Sequence, residues 1–119
     1  MQTETRSRID QLTSPAGHPV SVIRFEGDIS STSREAVVGA YQGMSKEKVR
    51  ILLLDFTRVD YINSSGIALV IQVMIEASAA GQKVHVFGLS AHFQKVFAMV
   101  GITKYAHLYP DQPTALAEL

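Results

Sequence analysis

The chain has 119 residues, of which 46% are hydrophobic and 18% are charged, and its formal net charge is zero. A chain of this length can bury a sizeable core without disulfides or metals, and we predict a single domain over residues 1–119. The balanced charge argues against nucleic-acid binding, which usually needs a clustered basic excess. Because the chain has no cysteine, disulfides, thiolate zinc sites and thiol nucleophiles are excluded.

The N-terminal stretch MQTETRSRID is polar and contains no apolar core of a signal peptide. The longest apolar run, residues 67–75, is interrupted by Gln72 and is too short to cross a bilayer. We therefore expect a cytoplasmic protein with no direct insertion into a membrane.

The first part of the chain predicts a hairpin followed by a helix. Residues 6–12 alternate weakly in polarity, SPAGHP reads as a turn, and residues 20–27 form a second alternating segment. A hydroxyl-rich turn over residues 28–33 offers several candidate caps for a helix that runs to about residue 44. The apolar residues of that helix fall at helical spacing.

The rest of the chain alternates strands and helices. VRILLLDF, residues 49–56, is a continuous apolar run typical of a strand buried on both faces. We expect this strand to end at Asp55 and TRVDYI to form a loop. The elements predicted after it are a helix over 66–80, a strand over 83–89, a helix over 91–100, a strand over 102–109 and a short helix after Asp111.

This order, β-β-α-β-α-β-α-β-α, predicts an α/β fold. Strand–helix–strand alternation requires parallel strands joined by right-handed crossovers, and the N-terminal hairpin adds an antiparallel edge. We therefore predict a mixed sheet of about five strands with about four helices packed on it.

Residues 60–70, DYINSSGIALV, place two hydroxyls and a glycine between an apolar strand and an apolar helix. Asn63 suits the N-cap position, where its side chain accepts the backbone N–H of Ser65 or Gly66. Ser64 then occupies the first helical position, near the free N–H groups and the positive end of the helix dipole. Gly66 leaves the first turn without a side chain, so that another surface can approach. Two interpretations are open: turn and cap chemistry alone, or serines presented to a partner.

The helix that follows has two distinct faces on a helical wheel. One stripe contains Ser65, Leu69, Gln72 and Glu76, with Val73 beside it. The opposite face is apolar enough for the core and carries Ile67, Val70, Ile71, Met74, Ile75 and Ala77. We expect Leu69 and Val73 to lie on an exposed edge that a partner contacts. The alternative is that a neighbouring helix covers them.

The stretch LLLDFTRVDYINSSGIALVI resembles the signature of STAS domains, particularly stand-alone bacterial anti-sigma factor antagonists. That signature is a buried strand ending in Asp, a short loop, then Asp or Asn, Ser, Ser or Thr, and Gly at a helix start. FEGDIS is similar to the family's Gly-x-Leu/Ile-Asp turn, and HFQKVFAMVGI to its Phe-x-x-x-Gly-Leu/Ile helix end. The element order agrees as well, so the resemblance covers nearly the whole chain.

The resemblance implies a protein-binding module that is gated by phosphorylation and holds no cofactor. In the family a GHKL-type anti-sigma serine kinase modifies the first serine after the Asp or Asn, here Ser64, and a PP2C-type phosphatase resets it. The unphosphorylated domain binds the kinase and releases its client, and we expect the free domain to be a monomer. Together with the helical wheel, the resemblance assigns partner binding to Ser30, Asn63, Ser64, Ser65, Gly66, Leu69, Gln72 and Val73.

The chain departs from the family pattern at two positions. Asn63 stands where Asp is common, and Ser30 stands at the end of the turn where the family has Asp. In related antagonists these acids help to engage the kinase around its nucleotide, so their absence bears on phosphorylation and on the partner's identity. The alternative function is a STAS adaptor subunit that no kinase modifies, such as that of a lipid-transporting ABC system.

No enzyme is expected. The serines lie in no Gly-x-Ser-x-Gly elbow, and the histidines show no metal-ligand spacing with each other or with carboxylates. We interpret His85 as a structural histidine of a buried strand, and His92 and His107 as solvated. A further hypothesis is direct binding of a nucleotide or other anion at the N-terminus of the 66–80 helix, where Arg58 is the one supporting basic residue.

Overall fold

The computed structural model describes residues 4–119; the first three residues of the polar N-terminus and of the predicted domain lie outside it. One five-stranded sheet has the order β1-β2-β3-β4-β5, in which β1 and β2 are antiparallel and the other neighbours are parallel. The predicted mixed α/β fold is confirmed. The strands are β1 Arg6–Thr13, β2 Pro19–Ile29, β3 Ile51–Ile62, β4 Lys83–Phe87 and β5 Ala106–Tyr109.

Four helical elements connect and follow these strands. The first, α1, begins as a π-helix and continues as a short α-helix, and 3₁₀ turns precede α1 and β5. In chain order, the four helices and the two 3₁₀ turns are the turn Ser31–Ser33, α1 Glu35–Gly39 with Ala40–Gln42, α2 Ser64–Ala79, α3 Ala91–Met99, the turn Ile102–Lys104 and α4 Gln112–Ala117. Among residues 4–119, no helix combines the length and apolar character needed to cross a membrane.

The helices cover the two faces of the sheet unequally. Helices α1, α2 and α3 share one large core cluster with Leu52, Leu54 and Phe56 of β3. Helix α4 contributes Ala115 to a smaller cluster with Leu53, on the opposite face. Successive strand residues point to opposite faces, so the apolar run of β3 is buried on both sides, as predicted.

Strand β3 is longer than the sequence analysis predicts. The expected end at Asp55 and the expected TRVDYI loop are wrong, because β3 continues to Ile62. Strand β4 stops opposite Asp55, whereas β2 stays paired with β3 as far as Ile62, with register shifts along the way. Backbone pairing with β2 therefore maintains the strand where most of its side chains are exposed.

The last predicted strand is also partly wrong. Gly101 ends α3 in the left-handed conformation, with φ of 84°, as its position after the helix suggested. The next residues form the 3₁₀ turn, and β5 begins only at Ala106. Ile102 is 1% exposed. Its apolar side chain therefore packs in the core, but the segment that carries it is a turn and not the predicted strand.

Candidate functional site

Helix α2 begins directly after β3, and Asn63 forms the junction. Its backbone is extended, and its Oδ1 accepts the backbone N–H of Gly66 at 2.8 Å. The predicted N-cap is confirmed. The backbone N–H of Asn63 also donates to the carbonyl oxygen of Ile29 at 3.1 Å, which joins the start of α2 to the end of β2.

Ser64 and Ser65 occupy the first two positions of α2, and both are exposed. Neither hydroxyl forms a hydrogen bond with another residue in the range 4–119. The first turn of a helix also presents backbone N–H groups that have no partner inside the helix. A reagent or protein that approaches this end of α2 therefore reaches the serine hydroxyls directly.

Gly66 is buried, so the open approach predicted there is wrong. A Cβ on Gly66 would lie 2.3 Å from the carbonyl oxygen and 2.7 Å from the carbonyl carbon of Ile29. The surface that comes close to this glycine is the chain's own strand β2. The missing side chain allows α2 to pack on the sheet and leaves nothing for a partner to contact.

Leu69 and Val73 are 6% and 0% exposed, so the prediction of an exposed edge formed by them is wrong. Both belong to the core cluster that also contains Val37 and Val38 of α1. The alternative, that a neighbouring helix covers these two side chains, is correct.

Gln72 is half-buried and contacts its own chain. Its Oε1 accepts a hydrogen bond from Nη1 of Arg34 at 3.3 Å, and its Nε2 donates to Oε2 of Glu76 at 3.2 Å. Gln42 of α1 also donates to Glu76, at 3.2 Å. This side of α2 is thus occupied by contacts with α1 and with the residues just before it, which leaves Gln72 little capacity for a partner.

Ser30 is 5% exposed and acts as a cap. Its hydroxyl accepts the backbone N–H of Thr32 at 3.4 Å, and its own backbone N–H donates to the hydroxyl of Ser33 at 2.8 Å. The Ser30 side chain is therefore buried in the turn that it caps, which argues against the partner contact predicted for it.

The exposed face of α2 carries Ile71 and Ile75, which the helical wheel assigned to the core, together with Ala68, which it assigned to neither face. Ala68 is exposed, Ile71 is half-buried and Ile75 is 46% exposed. These residues follow Ser64 at steps of four, three and four, which places all four on one face of the helix. We call Ser64, Ala68, Ile71 and Ile75 the outward stripe. Because apolar residues nearly surround α2, the wheel alone does not separate this stripe from the buried side.

The histidines lie as the sequence analysis predicts. His85 is 9% exposed, and its Nδ1 lies 3.2 Å from the hydroxyl oxygen of Tyr109, which satisfies the ring inside the fold. His92 and His107 are exposed. Over residues 4–119, no three histidine or carboxylate side chains are grouped in a way that could hold a metal ion.

Burial and, to a smaller extent, the neighbouring His107 lower the pKa of His85 from 6.5 to about 4. Between those values the unfolded chain binds more protons at this position than the folded chain does, so His85 makes stability fall as the pH drops through that window. We expect the urea midpoint to decrease between about pH 7 and pH 4.5, and to decrease less in His85→Gln. His92→Gln, at an exposed position of α3, is the matched control and should keep the wild-type pH dependence. Identical pH dependence in His85→Gln and wild type would contradict this assignment.

The cavities that Arg58 lines contain no residue of the α2 start, so Arg58 gives no support to an anion site there. Those cavities are also lined by charged residues of β1 and β2. The hypothesis of anion binding at this helix end therefore loses the one side chain that supported it.

Comparison with known proteins bears on the fold. The structure of this chain is similar to that of an anti-sigma factor antagonist from Mycobacterium paratuberculosis, at TM-score 0.79 and 17% identity over 97% of this chain and 93% of that chain. It is similar to the phosphorylated Bacillus cell fate determinant SpoIIAA, at TM-score 0.64 and 21% identity over 94% and 97%. The SulP transporter STAS domain from Vibrio cholerae matches at TM-score 0.63 and 19% identity over 76% of each chain.

At these identities the structures show a shared fold alone. A search of curated protein sequences found no match. A family model described as "Mlab, STAS domain" matches residues 15–110, which is most of the chain. The chain therefore belongs to the STAS domain family.

Proposed function

We propose that this STAS domain is a protein-binding module, and not an enzyme, whose docking surface is the outward stripe and whose affinity is set by phosphorylation of Ser64. The observation that carries the proposal is the exposed Ser64 hydroxyl, which makes no hydrogen bond within residues 4–119 and stands at the head of that stripe. Exposed apolar residues beside a polar helix end suit a partner surface.

Phosphorylation changes the interface and leaves the fold intact. It adds roughly −1.5 to −2 charges at the N-terminus of α2, where the helix dipole favours an anion by about 0.3–1 kcal/mol. A partner that binds the outward stripe must instead desolvate the charged phosphate, which costs binding free energy. A loss of only about 2.8 kcal/mol weakens binding a hundredfold. The phosphorylated and unphosphorylated SpoIIAA structures are both similar to this fold, which supports a phosphate being tolerated.

The partner favoured by the family resemblance is a GHKL-type anti-sigma serine kinase, with a PP2C-type phosphatase that restores the serine. The unphosphorylated domain binds the kinase, and the kinase then releases its client. Asn63 is partly exposed at the N-cap of α2, where the kinase can contact it. Ser65 is exposed and lies next to the modified residue. In this role the domain acts in the cytoplasm.

The modification is tested by intact-mass measurement after incubation with ATP and a GHKL-type serine kinase from the same genome. We expect a gain of about 80 Da for one phosphoryl group, kept in Ser65→Ala and lost in Ser64→Ala. Asn63→Asp keeps the cap and restores the acid that is common in the family, so it should be modified faster. A gain that persists in Ser64→Ala would place the modification elsewhere.

The docking surface is tested by measuring kinase affinity for matched variants. Ser64→Ala should bind as wild type does, whereas Ser64→Asp and Ile75→Asp should bind about a hundredfold more weakly, because each puts a charge into the buried interface. Thr103→Asp, exposed on the 3₁₀ turn before β5, is the charge control and should bind normally. Equal affinity of all four variants would refute the outward stripe as the docking surface.

A second candidate is an adaptor subunit that no kinase modifies, such as the STAS subunit of a lipid-transporting ABC system. Asn63 favours this candidate, because it caps α2 without supplying the carboxylate that related antagonists use toward a kinase. In that case no mass gain occurs, and Ile75→Asp releases the domain from a transporter subunit that Ser64→Ala retains.

A further inference from the structure

The face of the sheet opposite α2 is only partly covered by a helix. Helix α4 packs over the apolar end of this face, where Val22 and Leu53 belong to its cluster. Toward the carboxyl ends of β2 and β3 the same face is charged. Arg8 of β1 pairs in register with Arg24 of β2, and Arg24 pairs with Asp55 of β3.

Two cavities of about 240 Å³ and 560 Å³ open on this charged region. Arg8, Arg24, Asp55 and Arg58 line both of them. The smaller cavity has four arginines and two carboxylates in its lining, so positive charge is in excess. Cavities at the carboxyl ends of parallel strands are common ligand sites in α/β proteins.

Hydrogen bonds to neighbouring side chains hold Arg24 in place within this charged region. Its Nε donates to Asp10 at 2.6 Å, and its Nη1 donates to Asp55 at 2.8 Å and to Gln112 of α4 at 2.9 Å. The hydrogen bond from Arg24 lowers the pKa of Asp10, which keeps that carboxylate ionised. Three of its five N–H donors are thus used within the fold, and its side chain is only 20% exposed. We therefore treat Arg24 as a structural residue and assign the ligand contacts to its neighbours.

Arg8 and Arg58 remain available on either side of β2. Arg58 is exposed and forms no ion pair with any residue in the range 4–119. Arg8 reaches Asp10 only at 3.5 Å, and its side chain is 72% exposed. Two strand spacings separate β1 from β3, about 10 Å. Arg58 is level with Glu26, two residues beyond Arg24, the partner of Arg8, so the two arginines are also offset along the strands. Both line the same two cavities, and extended arginine side chains can reach toward each other over β2. Arginine matches the oxygen geometry of a phosphoryl group with two parallel donors.

We propose that this charged face binds a small organic phosphate, with its phosphoryl group held between Arg8 and Arg58. Its carbon part occupies the larger cavity, which Phe87, Leu89 and Pro110 line. The carboxylates of the lining already have partners. Asp55 is bound to Arg24 and to the backbone N–H of Thr57. Glu26 pairs with Arg6 at 3.8 Å, and Asp111 accepts the backbone N–H of Thr114. The site lies across the sheet from Ser64 and is independent of the function proposed there.

The test is a titration of ¹⁵N-labelled protein with phenyl phosphate, with inorganic phosphate and phenol as matched probes. Phenyl phosphate and phosphate should both shift the amide signals of Arg8 and Arg58 in a saturable way. Phenyl phosphate alone should also shift Gly88 and Leu89, and phenol should shift none of these. If phenyl phosphate shifts only the signals of the two arginines, as inorganic phosphate does, the assignment of its carbon part to the larger cavity is overturned.

Variants decide whether the two arginines hold the phosphoryl group. Arg8→Ala and Arg58→Ala should each weaken phenyl phosphate binding about tenfold or more, because each removes a charge-assisted hydrogen bond. Arg50→Ala, exposed just before β3, and Ser64→Ala should bind as wild type does. Both arginines are exposed, so their removal should leave the fold intact. Unchanged affinity in the Arg8→Ala/Arg58→Ala double variant, or no saturable shift at millimolar phenyl phosphate, would overturn the proposal.

Discussion

Replacing Gly66 with alanine is expected to lower the free energy of unfolding by about 3 kcal/mol. The added Cβ would lie 2.3 Å from the carbonyl oxygen of Ile29, and a backbone atom cannot turn aside as the end of a long side chain can. Helix α2 would have to move away from the end of β2. That movement also strains the hydrogen bond from Asn63 to the same carbonyl.

Urea denaturation followed by circular dichroism measures this loss, and Gly39→Ala is the matched control. The closest atom to a Cβ on Gly39 is Oε2 of Glu35 at 2.9 Å, the end of a flexible side chain, and the nearest backbone atom, the carbonyl oxygen of Arg34, is at an ordinary contact distance of 3.9 Å. Alanine also favours a helix over glycine by about 1 kcal/mol, so Gly39→Ala should equal or exceed the wild-type stability. A Gly66→Ala protein as stable as Gly39→Ala would disprove the close packing of α2 on β2.

Phe97→Ala is expected to lower the free energy of unfolding by about 3–5 kcal/mol. Phe97 of α3 is 0% exposed, and its ring meets that of Phe56 edge to face at 5.9 Å. The ring of Phe56 in turn packs against that of Phe25 of β2, with 5.2 Å between the ring centroids. Truncation therefore leaves a cavity between α3 and the centre of the sheet, lined by rings that cannot easily collapse into it.

Met99→Ala is the control for this variant, because Met99 lies two residues further along the same helix and is 85% exposed. We expect its effect to stay within about 0.5 kcal/mol. Thermal and urea unfolding of the two variants measure the difference. Equal losses would mean that helix propensity, and not core packing, holds α3 in place.

The starts of α2, α3 and α4 were predictable because short stretches of sequence determine them. Asn63, Ser90 and Asp111 each stand before a helical pattern, and each side chain accepts a backbone N–H in the structure. The succession of strands and helices along the chain was predictable for a similar reason, since a continuous apolar run indicates a strand buried on both faces. These signals need no knowledge of the rest of the fold.

The extension of β3 was not predictable from its side chains. Thr57, Arg58 and Asp60 are exposed, and their polarity is the usual sign of a loop. What keeps this segment in the sheet is backbone pairing with β2, which Arg58 joins opposite Glu26. Backbone pairing depends on a partner strand distant in sequence, so no local pattern records it.

The orientation of α2 was missed for a related physical reason. A helical wheel shows where the apolar residues lie, but which side is buried depends on where α1 packs. Arg34 and Gln72 form one of the contacts that fix α1 beside α2, and Leu69 is buried in consequence. The charged face also depends on tertiary structure, because the register of the first three strands brings Arg8 and Arg58 to the same cavities.

The carbonyl oxygen of Ile29 accepts the amide of Asn63 and also limits the space at Gly66, so one atom joins β2 to α2. Neither element can separate from the other without breaking this junction. We therefore expect the Asn63 amide proton to exchange with deuterated solvent through large-scale opening and not through fraying of the helix end. We expect fast motion at the neighbouring serine to be confined to rotamer changes of its side chain.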